Sequence, residues 1–271
     1  MRETVEASQP WPRVEQAEVR STPHLSVING GASHAAALPL PIKAADRVER
    51  FRSDIDWESF LPPHAHSEVW NFQKIIKRGI DITASLTLMI LLSPIFFIVA
   101  ALVKLTSSGP VFYEFRVLGK RARPFVAYKF RTMVVNADEL KPALMRHNEM
   151  NGPAFKMRND PRITPLGKWL RKLSLDELPQ LWSVLVGDMS LVGPRPPFAE
   201  EFVKYKSWQW GRLAVTPGIT CIWQVTGRSD IRDFDDWAAL DAKYIKTWSL
   251  WLDLKILLMT IPAVLRGKGA Y

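Results

Sequence analysis

The stretch "IDITASLTLMILLSPIFFIVAALVK" covers residues 80–104, and its 82–103 portion is a run of 22 residues without a charge. That length suits a membrane helix, which needs roughly 20 apolar residues. Ser93-Pro94 falls in its middle. Pro94 lacks an N–H and its ring collides with the carbonyl of Ile90, so the helix should break or kink there. The Ser93 hydroxyl can satisfy a freed carbonyl one turn back. Each half holds about 11 residues, or roughly 16 Å, too short for a hydrocarbon core of about 30 Å. Both flanks are basic: Lys74, Lys77 and Arg78 precede the run, and Lys104, Arg116, Lys120, Arg121 and Arg123 follow it. The positive-inside rule then keeps both ends on the cytoplasmic side. These arguments favour a re-entrant helix–break–helix in one leaflet over a kinked full span.

The surrounding composition agrees with a membrane surface. Eleven tryptophans in 271 residues exceed ordinary usage, and indoles favour membrane–water interfaces. A formal charge of +9 suits an anionic partner, whether nucleic acid, anionic lipid or a phosphorylated substrate. The single cysteine, Cys221, excludes an intramolecular disulfide and a cysteine-based zinc site. Residues 1–25 contain no apolar segment resembling a signal peptide.

Residues 1–66, polar and interrupted by prolines, read as a disordered or weakly ordered extension. His64 and His66 within it read as a solvated loop. Residues 67–108 form the membrane hairpin, and 109–271 a cytoplasmic catalytic domain. There, "VFYEF" and "PFVAYKF" alternate in character around "LGKRAR" and predict a β-hairpin. Helices are expected over 136–150, 166–173, 200–215, 235–247 and 249–265, and from Leu175 or Pro179 to a stop at Gly187. "SLVGPRPPF" is too proline-rich for regular structure, and "TPGITCIWQVTGRSD" reads as loop–strand–loop. The last helix is apolar but carries Asp253, Lys255 and Pro262. It suits an interfacial position, with Trp248 and Trp251 at headgroup level. The fold class is therefore α+β and mostly helical.

In "LRKLSLDELPQLW" (170–182), Asp176 and Glu177 stand side by side. One explanation is a helix N-terminus, where the dipole favours carboxylates. Ser174 and Glu177 have capping-box spacing, whereas Pro179 suits the first helical position. The other explanation is a reaction centre. Adjacent carboxylates at a broken helix start can share Mg²⁺ together with substrate phosphates. An ionised aspartate is also a competent nucleophile toward phosphorus. Phosphate-binding cations are available: Arg195 between two prolines in "GPRP", Arg228 in "TGRSD", and Lys129 and Arg131 in "YKFRT".

These motifs together resemble the bacterial sugar transferases, the polyprenyl-phosphate hexose-1-phosphate transferases or monotopic phosphoglycosyl transferases. The similar stretches are "KRGIDI" (77–82), "SP" (93–94), "GPVFY" (109–113), "YKFRTM" (128–133), "DPRITPLGKWLRKLSLDELPQLWSVLVGDMSLVGPRP" (160–196), "PGITCIWQVTGR" (217–228) and "WSLWLDLKIL" (248–257). The short form, and "LRGKGAY" at the C-terminus, are similar to exopolysaccharide-initiating galactosyl- or glucosyl-phosphate transferases.

The resemblance implies transfer of a hexose-1-phosphate from a UDP-sugar to undecaprenyl phosphate at the cytoplasmic face of the bacterial inner membrane. It implies Asp176 as nucleophile, with Glu177 as its partner in binding Mg²⁺. Arg171 would engage a lipid phosphate, and Arg195 and Arg228 the substrate phosphates. Asp253 falls in a motif that requires an acid. Ser93 and Pro94 match the break of a re-entrant helix. The partners implied are the donor, the lipid acceptor and a phospholipid membrane, with a homodimer left open and no nucleic acid. A basic nucleic-acid module would explain the charge but not the uncharged run. A membrane phosphatase with an aspartyl intermediate is set aside by the resemblance alone.

Overall fold

The computed structural model describes residues 42–227 and 231–267, with side chains from residue 46 onward. After helix α1 (Ile42–Asp54) and two short 3₁₀ turns comes α2 (Glu68–Leu91). Ser67 caps it, its hydroxyl accepting from the Trp70 N–H. The helix ends at Leu91, one residue separates it from α3 (Ser93–Thr106), and the two axes are bent by 61°. Pro94 occupies the first turn of α3, where a missing N–H costs nothing. Ser93 Oγ donates to the Ile90 carbonyl at 2.8 Å, the oxygen that Pro94 cannot serve. The break is thus the one that the local chemistry predicts.

The two arms are unequal. One face of α2 lies against the rest of the protein, burying Trp70, Asp81 and Ser85. Two of its three bases are engaged internally, whereas Lys74 is exposed. Lys77 Nζ donates to Asp253 at 2.6 Å and to the Val192 carbonyl at 3.0 Å. Arg78 donates to the carbonyls of Val184 and Leu185 at 2.6 and 2.8 Å. These two charges are not free to orient a membrane segment. Beyond Asp81 the arms carry exposed Leu86, Ile90, Leu91, Phe97, Ile98 and Leu105. Apolar exposure on this scale marks an interaction surface. Among the described residues, no single helix is long and apolar enough to cross a membrane.

The hairpin forms as expected. β1 (Phe112–Leu118) pairs antiparallel with β2 (Pro124–Phe130), and Tyr113 faces Lys129. Next come α4 (Ala137–Leu144), α5 (Pro165–Lys172) and α6 (Gln180–Val186), the last closed by Gly187 at φ 103°. The proline-rich "SLVGPRP" does contain a strand. β3 (Ser190–Val192) pairs in parallel with β4 (Gly218–Thr220), because Gly193 and Gly218 let the two backbones meet. A Cβ on Gly218 would lie 2.0 Å from the Gly193 nitrogen. The 200–215 segment is not one helix but α7 (Ala199–Phe202) and a 3₁₀ turn over Ser207–Leu213. The segment after β4 is helical as well, as α8 (Ile222–Thr226). Helices α9 (Phe234–Lys246) and α10 (Leu250–Arg266) complete an α+β, mostly helical fold.

A single large core joins most of these elements, and it reaches into the segment expected to be disordered. Val48, Ile55, Trp57, Phe60 and Ala65 belong to it, with Phe60 wholly buried. Val48 on α1, Ile55 just after it, and Trp57, Phe60 and Ala65 in the two turns bury enough apolar surface to outweigh the prolines around them. The expected disorder of residues 1–41 lies outside the described residues.

The tryptophans divide. Trp57, Trp70, Trp208, Trp223, Trp237 and Trp248 are core residues, whereas Trp169, Trp182 and Trp251 are exposed. Trp248 is therefore not at a headgroup level. Its indole packs on Trp70 with centroids 4.6 Å apart. On α10 the exposed Trp251, Leu254, Leu258, Ile261 and Leu265 recur every three or four residues, forming one stripe.

Candidate active site

The acidic pair sits between two helices. Thr164 caps α5, accepting from the Gly167 N–H at 3.0 Å. Gly167 must be glycine, since a Cβ there would lie 2.1 Å from the Thr132 carbonyl oxygen. After α5 the chain turns sharply at Ser174, which adopts φ 53°. Such a conformation costs a non-glycine residue about 1 kcal/mol. A single 3₁₀ turn, Leu175–Glu177, follows, and α6 starts after Pro179. The first start considered from the sequence is used as a 3₁₀ turn, and Pro179 stands at the N-cap of α6, one position before its first residue. Ser174, left-handed, makes no side-chain cap, so the capping box does not form. Asp176 is buried and Glu177 half-buried.

Around this turn lies a shell of cations. Lys129 is half-buried on β2, and it feels the charges of Arg171, Asp176, Glu177 and Arg195. Burial, then the Arg171 charge, lowers its pKa to about 8 against the pull of the two acids. Arg171 projects from the last turn of α5, and its Nε donates to Thr132 Oγ1 at 2.9 Å. It too is electrostatically coupled to Asp176 and Glu177.

Arg195 is held by a rigid loop. The Pro194 carbonyl accepts from the Gly218 N–H and the Pro197 carbonyl from the Leu118 N–H, both at 2.9 Å. Behind it, Arg212 reaches the Arg195 carbonyl at 3.4 Å while donating to Asp241 at 2.6 Å and Tyr205 at 2.8 Å. Asp176, Glu177, Lys129, Arg171 and Arg195 thus form one electrostatic cluster drawn from four segments.

Two other residues singled out from the sequence lie elsewhere. Arg131 is buried at the end of α3, donating to the carbonyls of Ser107, at 3.0 Å, and Ser108. Those carbonyls end a helix and lack intrahelical partners, which explains the arginine. Its terminal nitrogens are thus engaged internally. Asp253 is engaged internally as well. It is buried and accepts from Lys77, Tyr244 and Trp248 at 2.6, 2.7 and 3.1 Å. Three internal donors occupy a carboxylate that would in any case repel a phosphate. Arg228 lies outside the described residues.

Sequence reasoning also missed supports. Asp160 and Arg162 form a buried forked pair at 2.6–3.2 Å, and Arg162 also donates to the Ala137 carbonyl. Arg171 contributes to holding the Asp160 carboxyl below its ordinary range, although burial opposes this and Arg162 dominates. The i, i+2 spacing in "DPR" was the only available signal.

The described residues contain no group of three or more His, Cys, Asp or Glu that could hold a metal alone. Asp176 and Glu177 supply two adjacent oxygen donors on one turn. That set fits Mg²⁺, which takes one or two carboxylates and completes its shell with substrate phosphates and water.

Residues 72–267 match the model for "Bacterial sugar transferase". The chain belongs to the bacterial sugar transferase family. It is 47% identical over 197 residues to the galactosyl transferase CpsE of Streptococcus agalactiae, covering 72% of this chain and 43% of that one. It is 40% identical over 216 residues to the exopolysaccharide production protein ExoY of Rhizobium meliloti, covering 78% and 95%. An undecaprenyl-phosphate glucose phosphotransferase of Komagataeibacter xylinus is 38% identical over 212 residues, covering 72% and 37%. The chain thus spans less than half of two of these relatives and nearly all of the ExoY protein. The matched segment begins within α2, so α1 and its following turns lie outside the part that defines the family.

Proposed function

We propose that this chain transfers a hexose-1-phosphate from a UDP-sugar to undecaprenyl phosphate, releasing UMP. The observation that carries the reading is the acid pair on a broken helix start, ringed by Lys129, Arg171 and Arg195. An Asp176 oxygen attacks the sugar-bearing phosphorus, and the bond from that phosphorus to the bridging oxygen breaks. UMP leaves with the electron pair, giving an aspartyl-phosphosugar. A phosphate oxygen of the lipid then attacks the same phosphorus. The bond to Asp176 breaks, and the carboxylate is restored.

Each chain group has a task. Lys129 and Arg195 bind and orient the diphosphate, and their fixed charges favour the departing UMP. Arg171, tied to Thr132, receives the lipid phosphate. Mg²⁺ held by Asp176 and Glu177 would neutralise phosphate charge at the reacting centre.

The acceptor is a lipid, and the surface suits that. The bent α2–α3 pair would enter one leaflet from the cytoplasmic face of the bacterial inner membrane. The 14 residues of α3 reach about 21 Å, short of a hydrocarbon core of about 30 Å. The α10 stripe, with Trp251 exposed at its start, would lie along the same interface.

The test is UMP release by the full chain in lipid nanodiscs, against a panel of UDP-sugars, with trapping of a phosphosugar adduct. Asp176→Asn should abolish both while the protein remains folded. A variant that still transfers would overturn the nucleophile assignment.

A further inference from the structure

The hairpin carries an arrangement for which the reaction alone gives no reason. Tyr113 and Phe115 lie on the same face of β1, their rings 5.9 Å apart and within 11° of parallel. Lys129, cross-strand partner of Tyr113, extends over both rings, with its nitrogen 5.0 Å from the Phe115 centroid and 5.6 Å from that of Tyr113. Both distances lie within the range of a cation–π contact. The rings are themselves fixed. Tyr113 donates to the two oxygens of Asp138 at 2.9 and 3.1 Å. Phe115 packs on Phe198 at 6.0 Å, and Phe198 directly follows the proline-locked loop of Arg195.

We propose that Tyr113 and Phe115 are positioning residues, whose ring faces hold the Lys129 ammonium as a fixed cation for the donor diphosphate. This rests on the reaction proposed above. A lysine has four rotatable bonds and would otherwise have many rotamers to lose. The charged groups facing it are Arg171 from α5, Asp176 and Glu177 from the 3₁₀ turn, and Arg195 from its loop. The two acids attract the ammonium and the two arginines repel it, while the two ring faces supply the direct contact that fixes its place.

The experiment measures UDP affinity by calorimetry on the full chain in nanodiscs from pH 6.5 to 9, with turnover measured in parallel. In Phe115→Leu the ammonium loses one ring. Its alkaline limb should move down by about half to one pH unit. The ratio of variant to wild-type Kd should then grow from near one at pH 6.5 to about twofold to fivefold at pH 8. Phe115→Tyr should restore the wild-type curve, and Tyr113→Leu should repeat the effect if Phe115→Leu does not fold. In a Lys129→Gln background, Phe115→Leu should lose its pH dependence. A ratio that is the same at every pH, or a Phe115→Leu curve identical to wild type, would overturn the proposal. Absence of UMP release from every UDP-sugar would overturn the reaction instead, and the UDP titration would still decide the role of the rings.

Discussion

Replacing Asp253 by asparagine keeps the shape of the side chain and removes its charge. In the folded protein its carboxylate accepts from Lys77, Tyr244 and Trp248, with side-chain exposures of 9% for Asp253 and 17% for Lys77. The amide leaves the Lys77 ammonium buried without its counter-charge, and it turns one N–H₂ toward groups that are themselves donors. Breaking a buried pair from one side costs about 3–5 kcal/mol. For a chain of this size each kcal/mol lowers the midpoint by about 2–4 °C, so the variant should melt about 6–20 °C lower. The Lys77→Met/Asp253→Leu double variant removes both charges and should lose less than either single change. Thermal unfolding in detergent gives the midpoints, and UDP titration well below them gives the affinity. An Asp253→Asn protein that melts within about 2 °C of wild type yet binds UDP tenfold more weakly would refute the structural role. It would return Asp253 to the substrate site.

Lys129→Met should stabilise the protein and impair it. Burial and nearby cations lower the lysine from 10.5 to about 8, so its charged form disfavours folding at neutral pH. At 1.36 kcal/mol per pH unit the penalty is about 3 kcal/mol, and solvent around a half-buried ammonium reduces the expected gain to about 1–3 kcal/mol. In wild type the penalty is complete below pH 8 and relieved as the pH rises from 8 toward 10.5, so urea midpoints of the two proteins should converge over that range. UMP release should fall at least about tenfold at pH 7. Pro94→Ala together with Ser93→Ala restores an N–H at the break and removes the hydroxyl that serves Ile90. The α2–α3 bend of 61° should straighten, and cysteine labelling should show residues beyond α3 becoming inaccessible from the side that carries α1. Chelation by EDTA should abolish UMP release without moving the melting midpoint, since the two carboxylates hold no metal cage of their own.

What the sequence revealed was local chemistry. The helix break at Ser93-Pro94 needs only a missing N–H and a hydroxyl one turn from an orphan carbonyl, and both are written side by side. The hairpin follows from alternation around one turn. The acid pair, Lys129, Arg171 and Arg195 come from motifs, and the fold gathers them. The failures share a different character. Lys77 and Asp253 are 176 positions apart, so nothing near either shows that each is the other's counter-ion. Arg131 reads like a phosphate ligand until the α3 carbonyls fold over it. The β3–β4 pair is three residues long on each side and depends on two glycines meeting across 25 positions, which the prolines between them conceal. Trp248 and the 42–66 segment were misjudged because an apolar residue in a polar context can still be claimed by a distant core.

The grip of Arg78 has a mechanical consequence. Its guanidinium closes the C-terminal end of α6, fitting against Gly187, while the acidic turn precedes the other end of the same short helix. The distance from that clamp to the exposed apolar turns of α2 beyond Asp81 is therefore a ruled length, set by the count of residues along one helix. A single alanine inserted between Arg78 and Ile82 would swing the apolar arm by about 100° and lengthen the strut by about 1.5 Å. Reach and azimuth are thus coded in the same few residues, so the chain cannot retune how far Asp176 stands from the exposed apolar arm without also turning that arm.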